Sequence, residues 1–336
     1  MPDFDQDLAL QRLTEMQAAV RDAVVGSRDA KDLHAVAEVT DADTIYAIDA
    51  VVEPIILEHC RAWAREQPMT LIAEGVKRDD GTEGPVKLGD GEPVIRVILD
   101  PIDGTRGIMY DKRSAWALGG VAPERGEATR LRDISVGVMT ELPTSKMGHA
   151  DTLTAIRGRG ARGVRVNLAD KTEADLPIRP STADTILHGF ASVSAFFTQT
   201  MDRSAELMKR IEAEVVGDAD PARSSVFNDQ YISTGGQWYE LIVGHDRFNA
   251  DLRPAFYKMS GNTDGGGGLC CHPYDCATLI VAEEAGAIIT DAHGDPLDSP
   301  LDTTTGLDWI AYANPDLRAK IEPVIRDYLT TQEATA

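Results

Sequence analysis

The sequence predicts an α/β (α+β) layered sandwich in which helix and sheet layers alternate. Two kinds of pattern lead there. Apolar residues recur at helical spacing near both ends of the chain, short β-branched runs fill the stretches between, and the two alternate along the length. The 336 residues suffice for one large domain or two lobes sharing an interface. A composition of 43% hydrophobic and 26% charged residues is ordinary for a globular chain with a packed core.

From Phe4 to Val25 the apolar positions Phe4, Leu8, Leu13, Met16, Val20 and Val24 predict an amphipathic first helix. A second helix is expected over Asp43 to Trp63, capped by Thr40 or Asp41. Met69 to Ala73 reads as a strand ending in Glu74, and the charged, glycine-bearing stretch Lys77 to Gly91 as a mobile loop or hairpin. Pro93 to Leu99 is a strand that stops at Asp100. Further strands are expected at Ser114–Val121, Ile134–Thr140 and Thr152–Ile156, with a tight hairpin over Asp151–Val166. The polar segment Asn167–Thr182 marks a lobe boundary, giving lobes of 1–170 and 171–336. Beyond it the pattern gives a strand at Thr185–Phe190 and helices at Phe197–Val215 and Thr234–Val243. A strand at Arg247–Asp251 follows, then an irregular, glycine-ended stretch from Arg253 to Gly268. Pro273–Ala285 reads as helix, Ala287–Thr290 as strand and Pro315–Leu329 as the closing helix.

Charge narrows the function classes. Lys and Arg number 33 against 55 Asp and Glu, a formal net charge of −22, so neither nucleic acid nor an anionic membrane is an expected partner. A phosphorylated metabolite stays compatible if bound cations invert the local potential. No apolar run approaches the roughly 20 residues that span a bilayer, and MPDFDQDLAL lacks an export pattern, so a cytoplasmic protein is expected. Cys60, Cys270, Cys271 and Cys276 do not form a zinc ligand set unless His272 is recruited. Free thiols in a reducing compartment fit them better.

The most informative segment is VIRVILDPIDGTRG, Val94 to Gly107. An apolar strand delivers Asp100, and Asp103 follows three residues later. Two carboxylates so close raise each other's pKa unless a cation neutralises them. Hard ions such as Mg²⁺ take oxygen ligands, and the Ile102 carbonyl between the two acids adds a neutral one. Gly104 lets the backbone approach an anion, and its amide with that of Thr105 points at a phosphate if a helix begins there. A plain Pro-Asp-Gly turn explains the same letters when they stand alone.

They do not stand alone. DPIDGT at Asp100–Thr105 resembles the signature of the inositol monophosphatase family and its fructose-1,6-bisphosphatase relatives. So do PYDCATLIVAEEAGAIITDAHGDPLD (Pro273–Asp298, with Tyr274 where tryptophan is usual), VTDAD at Val39–Asp43, and LIAE ending in Glu74. The four elements occur in family order over about residues 39–298. The resemblance implies a Mg²⁺-dependent phosphomonoesterase acting on an inositol monophosphate or sugar phosphate through a metal-activated water. It places one ion on Glu74, Asp100 and the Ile102 carbonyl, and a second on Asp100, Asp103 and Asp275, with Asp100 bridging. A third, weaker ion would be linked to Glu74, and Mn²⁺ is the natural substitute. Asp43 and Thr105 would orient and deprotonate the water, and the Gly104 and Thr105 amides would cradle the phosphate. Thr234 and Gly235 would line the substrate pocket, with Asp251 or Arg253 at the leaving group. The N-terminal lobe would supply the DPIDGT loop, the C-terminal lobe Asp275 and the substrate contacts, and the chain would form a homodimer.

Two departures limit the carry-over. Glu74 is followed by Gly75 where the family has a second acid, which weakens the third site and leaves the lithium response open. Extra residues at 198–227 and 253–268 fall where substrate contacts belong, so the substrate stays open. Fructose-1,6-bisphosphate and 3′-phosphoadenosine-5′-phosphate are alternative substrates, and a metal- and phosphate-binding homologue with little turnover is the non-enzymatic reading. A haloacid-dehalogenase-type phosphatase built on Asp41 and Asp43 would need an apolar strand directly before Asp41, which VAEVT only partly provides.

Overall fold

The computed structural model describes residues 4–27, 36–39, 44–46, 48–78, 81–82, 84–217, 225–261 and 269–333. Helix α1 (Gln6–Ser27) is followed by the strand pair β1 (Val36–Val39) and β2 (Thr44–Tyr46), then α2 (Asp49–Trp63). The second helix therefore starts later than its apolar pattern suggests. Thr44 to Tyr46 pair with β1 instead, as suits two β-branched residues and a tyrosine. The proposed caps Thr40 and Asp41 lie outside the described residues.

A sheet of eight strands forms the first layer of β-structure. It contains β3 (Met69–Ala73), β4 (Val86–Leu88), β5 (Ile95–Asp103), β6 (Ala115–Pro123), β7 (Val136–Leu142), β8 (His149–Ile156), β9 (Ala161–Asn167) and β10 (Glu173–Leu176). The order is β10-β9-β8-β7-β6-β5-β3-β4, antiparallel throughout except for the parallel pair β3–β5. Helix α3 (Thr105–Met109) follows β5 directly. β5 shows why its run is continuously apolar: Val97 and Leu99 face the core under α1 and α2, and Ile98 faces the opposite core.

The second sheet runs β11-β12-β14-β13, from β11 (Phe190–Val193), β12 (Asp246–Asp251), β13 (Ile288–Thr290) and β14 (Trp309–Tyr312). Its helices are α4 (Met201–Val216), α5 (Thr234–Ile242), α6 (Arg253–Met259), α7 (Leu279–Glu284) and α8 (Pro315–Glu333). α5 and α7 touch both sheets, while α4 and α8 pack together on the far side of the second. The layers are thus α1/α2, first sheet, α5/α7, second sheet, α4/α8, the alternating sandwich the sequence predicts. Among the described residues no helix is long and apolar enough to cross a membrane.

Three expectations are corrected here. The strand placed at Thr185–Phe190 begins only at Phe190, because the preceding carbonyls of Thr185 and Leu187 are taken by the Arg247 guanidinium. Arg253 to Met259 is helical rather than irregular, with Pro254 in the first turn where its missing N–H costs nothing. The helix expected from Pro273 begins at Leu279. Before it, residues 273–278 wind as tight turns, with Cys276 N–H donating to Pro273 O at 3.2 Å and Ala277 N–H to Tyr274 O at 3.1 Å.

Candidate active site

β5 does not end at Asp100, as its sequence suggested. It continues to Asp103 through a bulge: Asp100 pairs with Leu118 and Asp103 with Trp116, so Pro101 and Ile102 together oppose Ala117. The bulge decides where the acids point. Residues three apart on a regular strand face opposite sides, and one extra residue returns Asp103 to the side of Asp100. Their partners Leu118 and Trp116 both belong to the core beneath α5 and α7, whereas Ile102 joins the other core. Proline is tolerated at this point because the bulge leaves no ladder bond for its absent N–H.

Asp275 arrives from the opposite layer. A Cβ on Gly120 of β6 would lie 2.5 Å from the Ala277 carbonyl oxygen, so only a glycine there lets the 273–278 turns rest on the sheet. The result is one cluster: Asp100, Asp103 and Asp275 each offer a carboxylate oxygen, all within 4.8 Å of one another. Glu74, at the end of β3, lies outside that span, but its charge acts on Asp100.

Each acid is held by neutral donors. Asp100 accepts from its neighbour's amide, Ile102 N–H, at 2.9 Å. Asp103 accepts from Ser233 Oγ at 2.8 Å, Gly235 N–H at 2.6 Å and, more weakly, Thr234 N–H at 3.3 Å, so it sits on the N-terminus of α5. Asp275 accepts from His272 N–H at 2.6 Å. Burial, then the charges of Glu74, Asp103 and Asp275, raises the Asp100 carboxyl well above the ordinary range. Burial and the Asp103 charge do the same to Asp275. Burial pushes Asp103 up to about 6 against its hydrogen bonds from Ser233, Gly235 and Thr234.

The remaining site residues fall as follows. Asp43 lies outside the described residues. Thr105 is half-buried and donates its hydroxyl to Ile102 O at 2.7 Å, which leaves that carbonyl a second lone pair. Gly104 caps α3 with φ 95°, a left-handed conformation that favours glycine. Thr234 and Gly235, expected to line the pocket, have backbone amides that hold Asp103. Asp251 is fully buried and engaged by Arg253, whose Nε lies 2.8 and 3.0 Å from its two oxygens. Arg253 also donates to Leu269 O, and its positive charge opposes the upward shifts of Asp103 and Asp275. Sequence reasoning did not find the Ser233–Asp103 bond, although a serine before the TGGQ helix start is a visible N-cap signal. The four cysteines are free thiols.

Comparison with known proteins settles the architecture. No family model and no curated protein matches the sequence. Solved structures do. The extragenic suppressor protein suhB of Bartonella henselae superimposes at a TM-score of 0.63 with 17% identity, covering 94% of this chain and 97% of that one. The Leishmania major fructose-1,6-bisphosphatase gives 0.68 with 10% identity over 95% and 94%. The Thermotoga maritima IMPase gives 0.60 with 16% identity over 95% and 96%.

The chain has the inositol monophosphatase fold.

That fold accounts for the layer order and for the near-complete coverage in both directions, so the extra residues of this chain are elaborations of the sandwich rather than an added domain. Identities this low carry the fold and leave the chemistry to be argued from the side chains.

Proposed function

We propose that the chain is a Mg²⁺-dependent phosphomonoesterase that hydrolyses a small phosphate ester, an inositol monophosphate or sugar phosphate, by attack of an activated water. One observation carries this reading: the carboxylates of buried Asp100 and Asp103 and of half-buried Asp275 converge within 4.8 Å, and the hydrogen bonds given to them come from neutral donors only. Charges of one sign at that spacing are costly where they are largely withdrawn from water, and Arg253, already engaged by Asp251, offsets them only in part. Their all-oxygen donor set, with the Ile102 carbonyl close by, suits a hard divalent cation, Mg²⁺ first and Mn²⁺ as its substitute.

Asp100, Asp103 and Asp275 would hold one ion, and Asp100 with Glu74 and the Ile102 carbonyl a second; a third belongs at Glu74. Bound there, divalent ions supply a lowered water pKa and neutralisation of phosphate charge. The chain's own residues do the rest. The Thr105 hydroxyl spends its hydrogen on Ile102 O, so towards a water it can only accept, which fixes that water's orientation. Asp43 is the partner assigned to remove the proton. The Gly104 and Thr105 amides, at the start of α3, face the phosphate. Asp251 and Arg253 neutralise one another beside the cluster, leaving the ester to be gripped mainly through its phosphate. The enzyme would work as a homodimer on a cytoplasmic metabolite, with the DPIDGT loop and Asp275 on opposite lobes.

A bisphosphorylated sugar has about equal support as substrate, since the fructose-1,6-bisphosphatase superimposes at a TM-score of 0.68. Phosphate release from a panel of inositol, sugar and nucleotide phosphates, with and without millimolar Mg²⁺, tests the reading. Metal-dependent release from at least one ester is expected; none above blank across the panel would return the chain to a binding role.

A further inference from the structure

Away from the acid cluster, a cavity of about 350 Å³ is lined from β7, β8, β9, α5 and the turn before β8 by Glu141, Met147, His149, Asp151, Arg165 and Tyr239. Across the first sheet Asp103 pairs with Trp116 and Trp116 with Glu141, so the cavity lies two strands from the acid cluster. Helix α5 touches both: Gly235 holds Asp103, and Tyr239, one turn on, donates to Asp151 at 2.6 Å.

The charges in this cavity do not balance. Asp151 is buried and paired with Arg165 through two contacts, 2.7 Å from Nε and 2.6 Å from Nη2. Glu141 is 7% exposed and has no such partner. It accepts from Ser114 Oγ at 2.7 Å and from Asp151 N–H at 3.1 Å, both neutral. Other acids are also raised by burial, Asp246 and Asp308 among them, but neither lines this cavity. A buried carboxylate that meets only neutral donors and opens on a space of ligand size recognises a positive charge.

We propose that this cavity is a second small-molecule site, which binds a small organic monocation through its primary ammonium group with Glu141 as the counter-charge. The ammonium donates to Glu141 beside the Ser114 hydroxyl, while the apolar body of the ligand lies along the Tyr239 ring and Met147. With Glu141 ionised, Arg165, already committed to Asp151, leaves the site one negative charge in excess, so a monocation is matched and a dication is not. This assignment stands whether or not the acid cluster is a phosphatase centre.

Proton linkage sharpens it. Glu141 is faced from β8 and β9 by Asp151, Arg165 and His149, from α5 by Tyr239 and Glu240, and by Tyr231, over which Arg113 stacks. Burial, with the Asp151 and Glu240 charges, raises its carboxyl to about 7 despite the bonds from Ser114 and Asp151 N–H. Ammonium binding needs the ionised form, so affinity increases with pH through that value and then levels.

Isothermal titration of the full chain with n-butylammonium at saturating Mg²⁺ tests the site. One equivalent is expected to bind, about tenfold more weakly at pH 6 than at pH 8, the ratio of ionised Glu141 at those pH values for a carboxyl near 7. The uncharged n-butanol should bind at least about tenfold less well, and Glu141→Gln should abolish binding. Met147→Trp, which fills the cavity from its half-buried edge and leaves Glu141 intact, should also abolish it, with cooperative unfolding retained. Asp275→Asn should keep the affinity, since that residue belongs to the other cluster. No binding at millimolar ammonium, equal affinity for the alcohol, a pH-independent affinity, or unchanged binding by Met147→Trp would each overturn the assignment.

Discussion

At the scale of single residues, the site is three acids that the fold keeps at a cost. Asp103 shows how: an N-cap serine and two amides at the start of α5 hold the carboxylate in place, yet burial still lifts it to about 6. On the proposed reading Asp275 is a direct metal ligand, so Asp275→Asn should lower turnover by about two orders of magnitude or more, measured as initial phosphate release. The same variant, without metal, should melt no lower than the parent, because one of three crowded carboxylates has gone. Ser233→Ala removes a support of Asp103, so Mg²⁺ affinity by titration should weaken by about tenfold to a hundredfold, with the fold intact by circular dichroism. The sign of the pH dependence follows from the upward shifts. A carboxyl whose folded pKa exceeds its unfolded value gives stability that is complete below the unfolded value and lost as pH rises through the folded one. Metal-free protein should therefore lose stability between about pH 4 and pH 6 through Asp103, and further above that through Asp100 and Asp275. Urea titrations with chelator should show this decline, and added Mg²⁺ should reduce it.

At the scale of elements, two features build the cluster: the bulge at Pro101–Ile102 and the bare strand surface at Gly120. Gly120→Val should push the 273–278 turns off the sheet, costing about 1–3 kcal/mol by overpacking and weakening metal binding together with stability. A loss of stability with full metal affinity would show that Asp275 reaches the cluster by another support. These elements also show what was legible in the sequence. β5, α1 and α8 were readable because apolar residues recur over most of their length. The bulge was not, because a proline after Asp100 reads as a strand end until the partner strand shows its pairing continuing to Asp103. Helix α6 was hidden because Pro254 in its first turn and the glycine run beyond it read as irregular chain, and β2 hid inside an apolar pattern that also fits a helix. The acids themselves were visible as DPIDGT and YDCA. Their supports were not, since Ser233 meets Asp103 across 130 residues of chain and no local spacing encodes that meeting.

At the scale of the whole molecule, one core joins both sheets: Ile98 and Trp116 of the first share it with Phe248, Trp309 and Tyr312 of the second. α5 and α7 lie in this middle layer, so the N-terminus of α5 and the turns before α7 can address the same strand end of the first sheet. The formal net charge of −22 gives the chain as a whole a reason to attract cations, and the proposed function puts one of them at the cluster. The most direct test is anomalous diffraction from crystals grown with Mn²⁺. A manganese peak bonded, at about 2.0–2.2 Å, to carboxylate oxygens of Asp100, Asp103 and Asp275 together is the expected result. No peak there at saturating Mn²⁺, or one coordinated without Asp275, would contradict it.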